Sequence, residues 1–360
     1  MEILHEDSVI IHPRLIESLE SGHFQKGYYT MLTFVLSLPF LIGLLVVATL
    51  GVVKAYLLMM RGVCRSTNNL TGKTVIITGA NTGIGKETAI DLAKRGARVI
   101  LACRDTKKAL AAKDDIVRES GNDNVIVRHL DLASLWSVRQ FASEILKNEP
   151  RLDILINNAG CVTMEKKLTP DGLEYQMQAN HFGHFLLTNL LLELLKKSAP
   201  SRIINVSSCL YTWKRTLDLN NLNSELSYNN SSLYHGVYYN SKLVQVLCTR
   251  HLAPLISQSG VTVNSVCPGL VNTEIFRSTS SWFQMAASFV LFIFSKTAKE
   301  GAQTSIHVAV ASEISDVTGQ FFCDCRIIKT SKLADNPNLA KKVWEISETC
   351  VDLKPEERNY

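Results

Sequence analysis

Short apolar runs alternate with helix-length amphipathic stretches from residue 72 onward. The runs are rich in Val and Ile, which favour strands, and most end in turn-forming Gly, Asn, Asp or Ser. This alternation predicts a parallel β-sheet with helices packed on both faces. The runs are KTVIITG, ARVILAC, NVIVRHLD, LDILINNAG, SRIINVSS and VTVNSVCPG.

A different pattern precedes this domain. Residues 31–53 carry no charged side chain. At about 1.5 Å per residue the stretch is long enough to cross a hydrocarbon core of roughly 30 Å, which predicts a transmembrane helix. A secretory signal peptide is the alternative, but it begins with a short basic region, whereas five acidic residues lie within residues 1–30.

Charge around the apolar run predicts its orientation. Four basic and no acidic side chains lie within residues 54–73, which places the larger part of the chain in the cytosol. The sequon at Asn69 then stays unmodified, because glycosylation needs a lumenal face. The predicted organisation is an unassigned N-terminal segment, a membrane anchor, a linker, a catalytic domain and a C-terminal tail, at residues 1–30, 31–53, 54–71, 72–330 and 331–360.

Composition and charge limit the classes of partner that the chain could bind. The net charge of +5 is spread along a chain that is 46% hydrophobic, which excludes the basic surface of a nucleic-acid-binding protein. The nine cysteines form no CxxC pair and have no histidine at zinc-ligand spacing, so we expect reduced thiols and no metal site. Cys323 and Cys325, in FFCDCR, would face the same side of a strand. The oligomeric state is left open.

A glycine-rich turn follows the first strand. The stretch TGANTGIGKETA puts Gly79, Gly83 and Gly85 before a helix that begins near Ile84. Glycine lets a diphosphate approach the backbone closely, and the helix N-terminus supplies N–H donors and the positive end of its dipole. The turn therefore predicts a dinucleotide site in a single doubly wound, Rossmann-type domain.

The end of the second strand bears on which nucleotide binds. The stretch LACRD places Arg104 there, and arginine pairs with the extra phosphate of NADP. Lys86 is a second candidate for that phosphate. Asp105 is the alternative, because a carboxylate there would hold the ribose hydroxyls of NAD. The position favours NADP(H).

The stretch YHGVYYNSK contains a candidate proton donor. Reduction of a carbonyl needs a proton beside the oxygen, and a nearby cation favours the phenolate that the reverse reaction requires. Tyr238 lies four residues before Lys242 and Tyr239 three before, and both spacings bring side chains together on a helix. Tyr234, eight residues before the lysine, is excluded, and spacing alone leaves the other two tyrosines as alternatives.

Taken together, these motifs resemble the short-chain dehydrogenase/reductase family over about residues 72–325. The matching features, in the family's order, are GxxxGxG at 79–85, NNAG at 157–160, NVSS at 205–208, the Tyr-x-x-x-Lys pair and PGLVNT at 268–273. The resemblance assigns the catalytic pair to Tyr238 and Lys242. It implies that Ser208, with Ser207 as the alternative, hydrogen-bonds the reacting oxygen, and that Asn180 holds a water behind the lysine.

The resemblance also implies the cofactor contacts. Asp131 would lie near the adenine, Asn158 would line the cofactor channel, and Thr273 would meet the nicotinamide carboxamide. The implied cofactor residues are Gly79, Asn81, Thr82, Gly83, Ile84, Gly85, Arg104, Asp131, Leu132, Asn158, Ala159, Gly160, Tyr238, Lys242, Pro268, Gly269 and Thr273.

Longer stretches are similar to the retinol dehydrogenase subgroup. They include NHFGHFLLTNLLL, the tail from FFCDCR and a long insertion at 209–237. This similarity implies a membrane-anchored, NADP(H)-dependent oxidoreductase that interconverts a lipid alcohol and its carbonyl, retinol and retinal above all. It places the protein at the endoplasmic reticulum, with mitochondrial and lipid-droplet surfaces as alternatives. A hydroxysteroid or other apolar carbonyl reductase, and a non-catalytic scaffold of the same fold, are the alternatives.

One apolar segment fits such a substrate. Residues 281–296, SWFQMAASFVLFIFSK, are too short to span a bilayer. We expect residues 272–298 to form a lid over an apolar substrate, with a buried core helix as the alternative.

Overall fold

A computed structural model describes residues 22–163, 166–224, 234–271 and 295–360, and it divides the chain into two units, Met1–Met60 and Arg61–Tyr360. In the first unit, helix α1 spans Gly22–Met60. Its segment Phe40–Met60 is, among the described residues, the one helix long and apolar enough to cross a membrane by length and composition. This segment continues past the predicted end of the run because Lys54 is followed by six uncharged residues.

An eight-stranded sheet forms the centre of the second unit as described, with strand order β3-β2-β1-β4-β5-β6-β7-β8. Neighbouring strands are parallel except β7 and β8. The six predicted runs are β1 to β6, and the doubly wound α/β class is confirmed. The strands are Thr74–Thr78, Arg98–Cys103, Val125–His129, Ile154–Asn157, Ser201–Val206, Val261–Cys267, Phe321–Cys323 and Arg326–Ile327.

Helices cover both faces of the sheet because alternate strand residues point in opposite directions. The helices α2 to α9 are Gly83–Lys94, Thr106–Ser120, Leu135–Asn148, Tyr175–Met177, Gly183–Lys197, Tyr234–Leu255, Ala298–Val310 and Pro337–Cys350. Val75 and Ile77 face α2, α3 and α8, whereas Ile76 faces α4, α6, α7 and α9. A π-helical turn at Gln178–Phe182 joins α5 to α6.

Segments on both sides of the predicted domain pack against it. The Gly62 N–H donates to Asp324 Oδ1 at 3.0 Å. In α9, Trp344 is buried and packs edge-on against Phe185, with ring centroids 4.7 Å apart. Gly62 and Trp344, which lie outside residues 72–330, therefore pack within the compact unit Arg61–Tyr360.

Candidate active site

The glycine turn lies where the strand order reverses, between β1 and β4. Gly79 has a φ of +65°, and a Cβ there would lie 3.0 Å from Ala159. A Cβ on Gly85 would lie 2.5 Å from Asn158 Nδ2. The first turn of α2 carries no acidic side chain. Backbone that side chains cannot fill, next to a helix N-terminus, fits the diphosphate of a dinucleotide.

A buried hydrogen-bond network holds the turn against β4. Thr78 Oγ1 accepts from the backbone N–H groups of Asn158 and Ala159, both at 2.9 Å, and lies 2.8 Å from His184 Nε2. His184 Nδ1 lies 2.9 Å from the Asn180 carbonyl oxygen. Burial lowers the pKa of His184 to about 3, so the ring is neutral. One tautomer satisfies both contacts, with Nδ1–H donating to Asn180 and Nε2 accepting from Thr78.

A cavity of about 250 Å³ opens beside the turn. Residues that the sequence did not single out, Lys108, Cys161 and Tyr175, also line it. Several predicted cofactor residues therefore share one cavity, namely Gly79, Asn81, Arg104, Asp131, Leu132, Ala159 and Gly160.

Charged side chains follow β2 at the rim of this cavity. The Arg104 guanidinium donates to the Tyr175 hydroxyl. Asp105 caps α3, because its Oδ1 accepts from the Lys108 N–H at 3.0 Å. Lys86 Nζ lies 2.6 Å from Asp115 Oδ2. Asp105 thus caps α3 and also lines the cavity with Arg104 and Lys108. Its Oδ2 lies 3.8 Å from Lys108 Nζ, and Lys86 is engaged in its own ion pair.

Tyr238 is the buried tyrosine of the predicted pair, with 8% of its surface exposed. Its hydroxyl is hydrogen-bonded to Ser208, and Lys242 Nζ lies 5.7 Å from its ring centroid. Burial raises the pKa of Tyr238 above its usual value, and the hydrogen bond from Ser208 offsets only part of that increase. Tyr239 is half-buried and packs edge-on against Trp213, with ring centroids 5.6 Å apart.

The two serines at the end of β5 contact different partners. The buried Ser207 hydroxyl donates to the Lys242 carbonyl oxygen at 2.8 Å. Ser208 is half-buried and accepts from the Leu210 N–H at 3.2 Å, in addition to its bond with Tyr238. Ser207 therefore ties β5 to α7, whereas Ser208 faces the phenol.

Lys242 and Asn180 lie behind the tyrosine. Lys242 Nζ donates to the Val206 carbonyl at 2.8 Å and to Gln245 Oε1 at 3.1 Å. Burial lowers the pKa of Lys242 to about 8. The Asn180 side chain accepts from the Cys161 N–H at 2.8 Å and donates to Ser241 Oγ at 3.1 Å. Its position in a π-helical turn is typical of functional sites.

The remaining predicted residues lie around this centre or outside the described residues. Thr82 and Ile84 flank Gly83 at the start of α2. Pro268 and Gly269 follow β6, and Gly269 has a φ of +83°. Thr273, residues 272–294 of the predicted lid, residues 225–233 of the insertion and the side chain of Tyr234 lie outside what the structure describes.

Three cysteines gather at the ends of neighbouring strands. Cys209 Sγ lies 2.7 Å from Cys267 Sγ and 3.9 Å from Cys323 Sγ. The expectation that Cys323 and Cys325 face the same side of one strand is wrong, because β7 ends at Cys323 and the next two residues have positive φ. The Cys325 thiol instead lies 3.5 Å from the Gln303 carbonyl.

The doubly wound sheet, the glycine turn at its switch point and the buried tyrosine with a neighbouring lysine define the class of nicotinamide-dependent oxidoreductases. Comparison with known proteins agrees. The family model described as short chain dehydrogenase matches residues 73–214.

Curated relatives extend this match. Retinol dehydrogenase 11 from Homo sapiens is 46% identical over 290 residues, covering 81% of this chain and 89% of that protein. Retinol dehydrogenase 13 from Homo sapiens is 43% identical over 320 residues, covering 86% and 96%. The chain belongs to the short-chain dehydrogenase family, in its retinol dehydrogenase-like subgroup. The resemblance inferred from the motifs is confirmed.

A solved structure shows the same fold. A putative uncharacterized protein from Mycobacterium paratuberculosis superposes with a TM-score of 0.63 at 32% identity, covering 79% of this chain and 95% of that chain. The family supports an oxidoreductase with a nicotinamide cofactor.

Proposed function

We propose that this protein is a membrane-anchored, NADP(H)-dependent oxidoreductase that interconverts retinol and retinal. The observation that carries the proposal is the buried Tyr238 hydroxyl, hydrogen-bonded to Ser208, with the Lys242 ammonium next to its ring. The names of the relatives support a retinoid substrate. The active-site geometry supports proton transfer to a carbonyl oxygen.

The chemistry divides between the cofactor and the chain. When bound, the nicotinamide supplies or accepts the hydride. Tyr238 donates a proton to the carbonyl oxygen during reduction, and Ser208 hydrogen-bonds that oxygen as negative charge develops on it. Lys242 favours the phenolate that alcohol oxidation requires, and its effect is strong because the pair is buried. Asn180 acts behind the lysine and does not touch the substrate.

The preference for NADP(H) rests on the rim of the cofactor cavity. Arg104 and Lys108 are the cations there, and Asp105 is used to cap α3. We assign the diphosphate to the turn at Gly79–Gly85 and the adenine to the neighbourhood of Asp131. The nicotinamide is assigned to Pro268, Gly269 and Thr273. Because cytosolic NADP is mostly reduced, we expect retinal reduction in the cell.

The membrane assignment rests on the apolar segment Phe40–Met60. We propose a single-pass anchor at the endoplasmic reticulum with the catalytic domain in the cytosol, and a lid at residues 272–298 that meets the apolar substrate. Asn69 is exposed, so its sequon would be glycosylated if the domain were lumenal. A glycan at Asn69, or protection of the domain from added protease in intact microsomes, would contradict this topology.

The activity is tested with membranes that contain the full-length protein, NADPH and a panel of all-trans-retinal, a ketosteroid and a short aliphatic aldehyde. We expect retinal to have the highest kcat/KM, and Tyr238→Phe to remove nearly all turnover while NADPH still binds. Tyr239→Phe is the matched control and keeps its activity. A higher kcat/KM for the ketosteroid would reassign the substrate, and NADPH binding without turnover of any compound would indicate a scaffold.

A further inference from the structure

A buried amide joins the catalytic lysine to the neighbouring helix. Gln245 is 3% exposed and lies one helical turn after Lys242 in α7. Its Oε1 accepts from Lys242 Nζ at 3.1 Å, and its Nε2 donates to the Asn180 carbonyl oxygen at 2.7 Å. Only this orientation of the amide satisfies both contacts, because an ammonium cannot accept and a carbonyl cannot donate.

The Asn180 carbonyl accepts two side-chain hydrogen bonds. A carbonyl oxygen has two lone pairs. One side-chain hydrogen bond comes from Gln245 and the other from His184 Nδ1 at 2.9 Å. The neutral tautomer of His184 is fixed by Thr78 at its other nitrogen. On these described contacts, the amide of Gln245 bridges the Lys242 ammonium directly to the Asn180 carbonyl.

We propose that Gln245 is a positioning residue of the reaction: its amide holds the Lys242 ammonium beside Tyr238 by anchoring it directly to the Asn180 carbonyl. This inference rests on the proposed function, because it assigns Lys242 the task of stabilising the phenolate. An amide does not relay a proton under these conditions, so Gln245 supports the charge of the lysine and is not a step in proton transfer.

The other titratable groups around Lys242 stay uncharged near neutral pH. His181 and His184 lie on the helix across from it, and burial lowers the pKa of each to about 3. Burial raises the pKa of the Cys161 thiol to about 12, and a hydrogen bond with Cys209 raises that of Cys267 to about 12. Among the described residues, the ammonium is therefore stabilised by the amide dipole of Gln245 and the Val206 carbonyl, with no hydrogen bond to a carboxylate.

Loss of the amide has a defined effect on pH dependence. Burial already holds the pKa of Lys242 near 8, and removing a neutral acceptor lowers it further. A smaller fraction of the lysine is then charged at any given pH, so the lysine stabilises the phenolate of Tyr238 less. The apparent pKa of the base in alcohol oxidation should therefore rise by about one unit, equivalent to a tenfold lower rate on the acidic side of the profile.

The variants are chosen to separate positioning from packing. Gln245→Met keeps the length of the side chain and removes both amide contacts, and Gln245→Leu serves the same purpose if the Met variant does not fold. Gln245 also lines a small, partly open cavity of about 30 Å³, enough for one water. Gln245→Asn therefore leaves room for a water that completes the bridge. Cys248→Ala, in the same helix and lining the same cavity, is the matched packing control.

The experiment measures kcat/KM for retinol oxidation with NADP⁺ across pH in membranes containing each full-length variant. We expect the Met variant to shift the acidic limb upward by about one unit with NADPH affinity within about twofold of wild type, the Asn variant to shift less, and the Cys248 variant to keep the wild-type profile. An unshifted limb in the Met variant would overturn the proposal. So would an equal shift in the Asn and Met variants.

A second readout does not depend on the substrate. The ionisation of Tyr238 in the NADP⁺ complex is followed by ultraviolet difference absorbance, with Tyr238→Phe subtracted. Failure of the proposed function would show as no turnover of any substrate by the wild type. The phenolate titration would still test Gln245, which predicts a higher tyrosine pKa in the Met variant than in the wild type, and equal values would refute it.

Discussion

Replacing Arg104 with alanine tests the cofactor preference. The guanidinium lies at the rim of the cofactor cavity and donates to the Tyr175 hydroxyl. A hydrogen bond between charged groups contributes about 1.5–3 kcal/mol. The lower end applies here because Arg104 is exposed and Lys108 remains at the same rim. We expect the affinity for NADPH to fall about tenfold to thirtyfold, since each 1.4 kcal/mol is about tenfold.

The affinity for NADH is the internal control, because NADH lacks the phosphate, and it should change less than about threefold. Dissociation constants for both nucleotides are measured by titration calorimetry on detergent-solubilised protein. Tyr175→Phe should weaken NADPH binding to a smaller extent by releasing the guanidinium. Arg118→Ala, which removes a cation that pairs with Asp115 on α3, should change neither affinity. Equal losses for NADPH and NADH in Arg104→Ala would refute the reasoning.

Three further predictions follow from individual contacts. Ser208→Ala should lower kcat by about a hundredfold with unchanged NADPH affinity, whereas Ser207→Ala should mainly lower the melting temperature; the reverse pattern would exchange their roles. The buried Asp153 carboxylate, just before β4, accepts hydrogen bonds from Lys73, Arg151 and the Thr74 N–H. Asp153→Asn should therefore reduce the free energy of unfolding in denaturant titrations by about 1–3 kcal/mol. Although burial raises the pKa of Asp153, hydrogen bonds from charged and backbone donors hold it below its usual value. Its stabilisation is present above the unfolded pKa of about 4 and disappears as pH falls through the folded pKa, so the two proteins should converge in acid. Raised pKa values make oxidation of Cys209 and Cys267 slow at neutral pH. At alkaline pH, peroxide should join Cys209 to Cys267 before either bonds to Cys323, and peptide mapping that found a disulfide to Cys323 first would contradict the 2.7 Å geometry.

The strands could be predicted from sequence because their signals are local. A β-branched run ending in a turn residue carries the information for one strand, and the alternation with helices implies the parallel order. The limits of the folded domain are harder to predict from sequence. Gly62 and Trp344 belong to the domain through contacts with Asp324 and Phe185, which are distant in sequence.

In the candidate site, too, local sequence signals predict some features, and contacts between distant residues decide the others. Helical spacing brought Tyr238 and Tyr239 equally close to Lys242, and the rotation of α7 against β5 buries one beside Ser208 and directs the other to Trp213. No local pattern encodes that rotation.

The approach of three cysteines could have been predicted from the sequence. Cys267 and Cys323 are the last residues of β6 and β7, Cys209 follows the end of β5 by three residues, and β5, β6 and β7 are neighbours in the sheet. Strand order would have predicted their approach. For Gln245 the only signal in the sequence was its spacing from Lys242, because its contact with Asn180 depends on how two helices pack.

The central claim is hydride transfer to retinal at a site where Tyr238 supplies the proton. It is tested most directly with NADPH deuterated at the transferable position of the nicotinamide ring, all-trans-retinal and membranes containing the full-length protein. We expect mass spectrometry to find retinol carrying one deuterium, formed in step with NADPH consumption, and none above background with Tyr238→Phe. Unlabelled retinol, or equal deuterated product from both proteins, would contradict it.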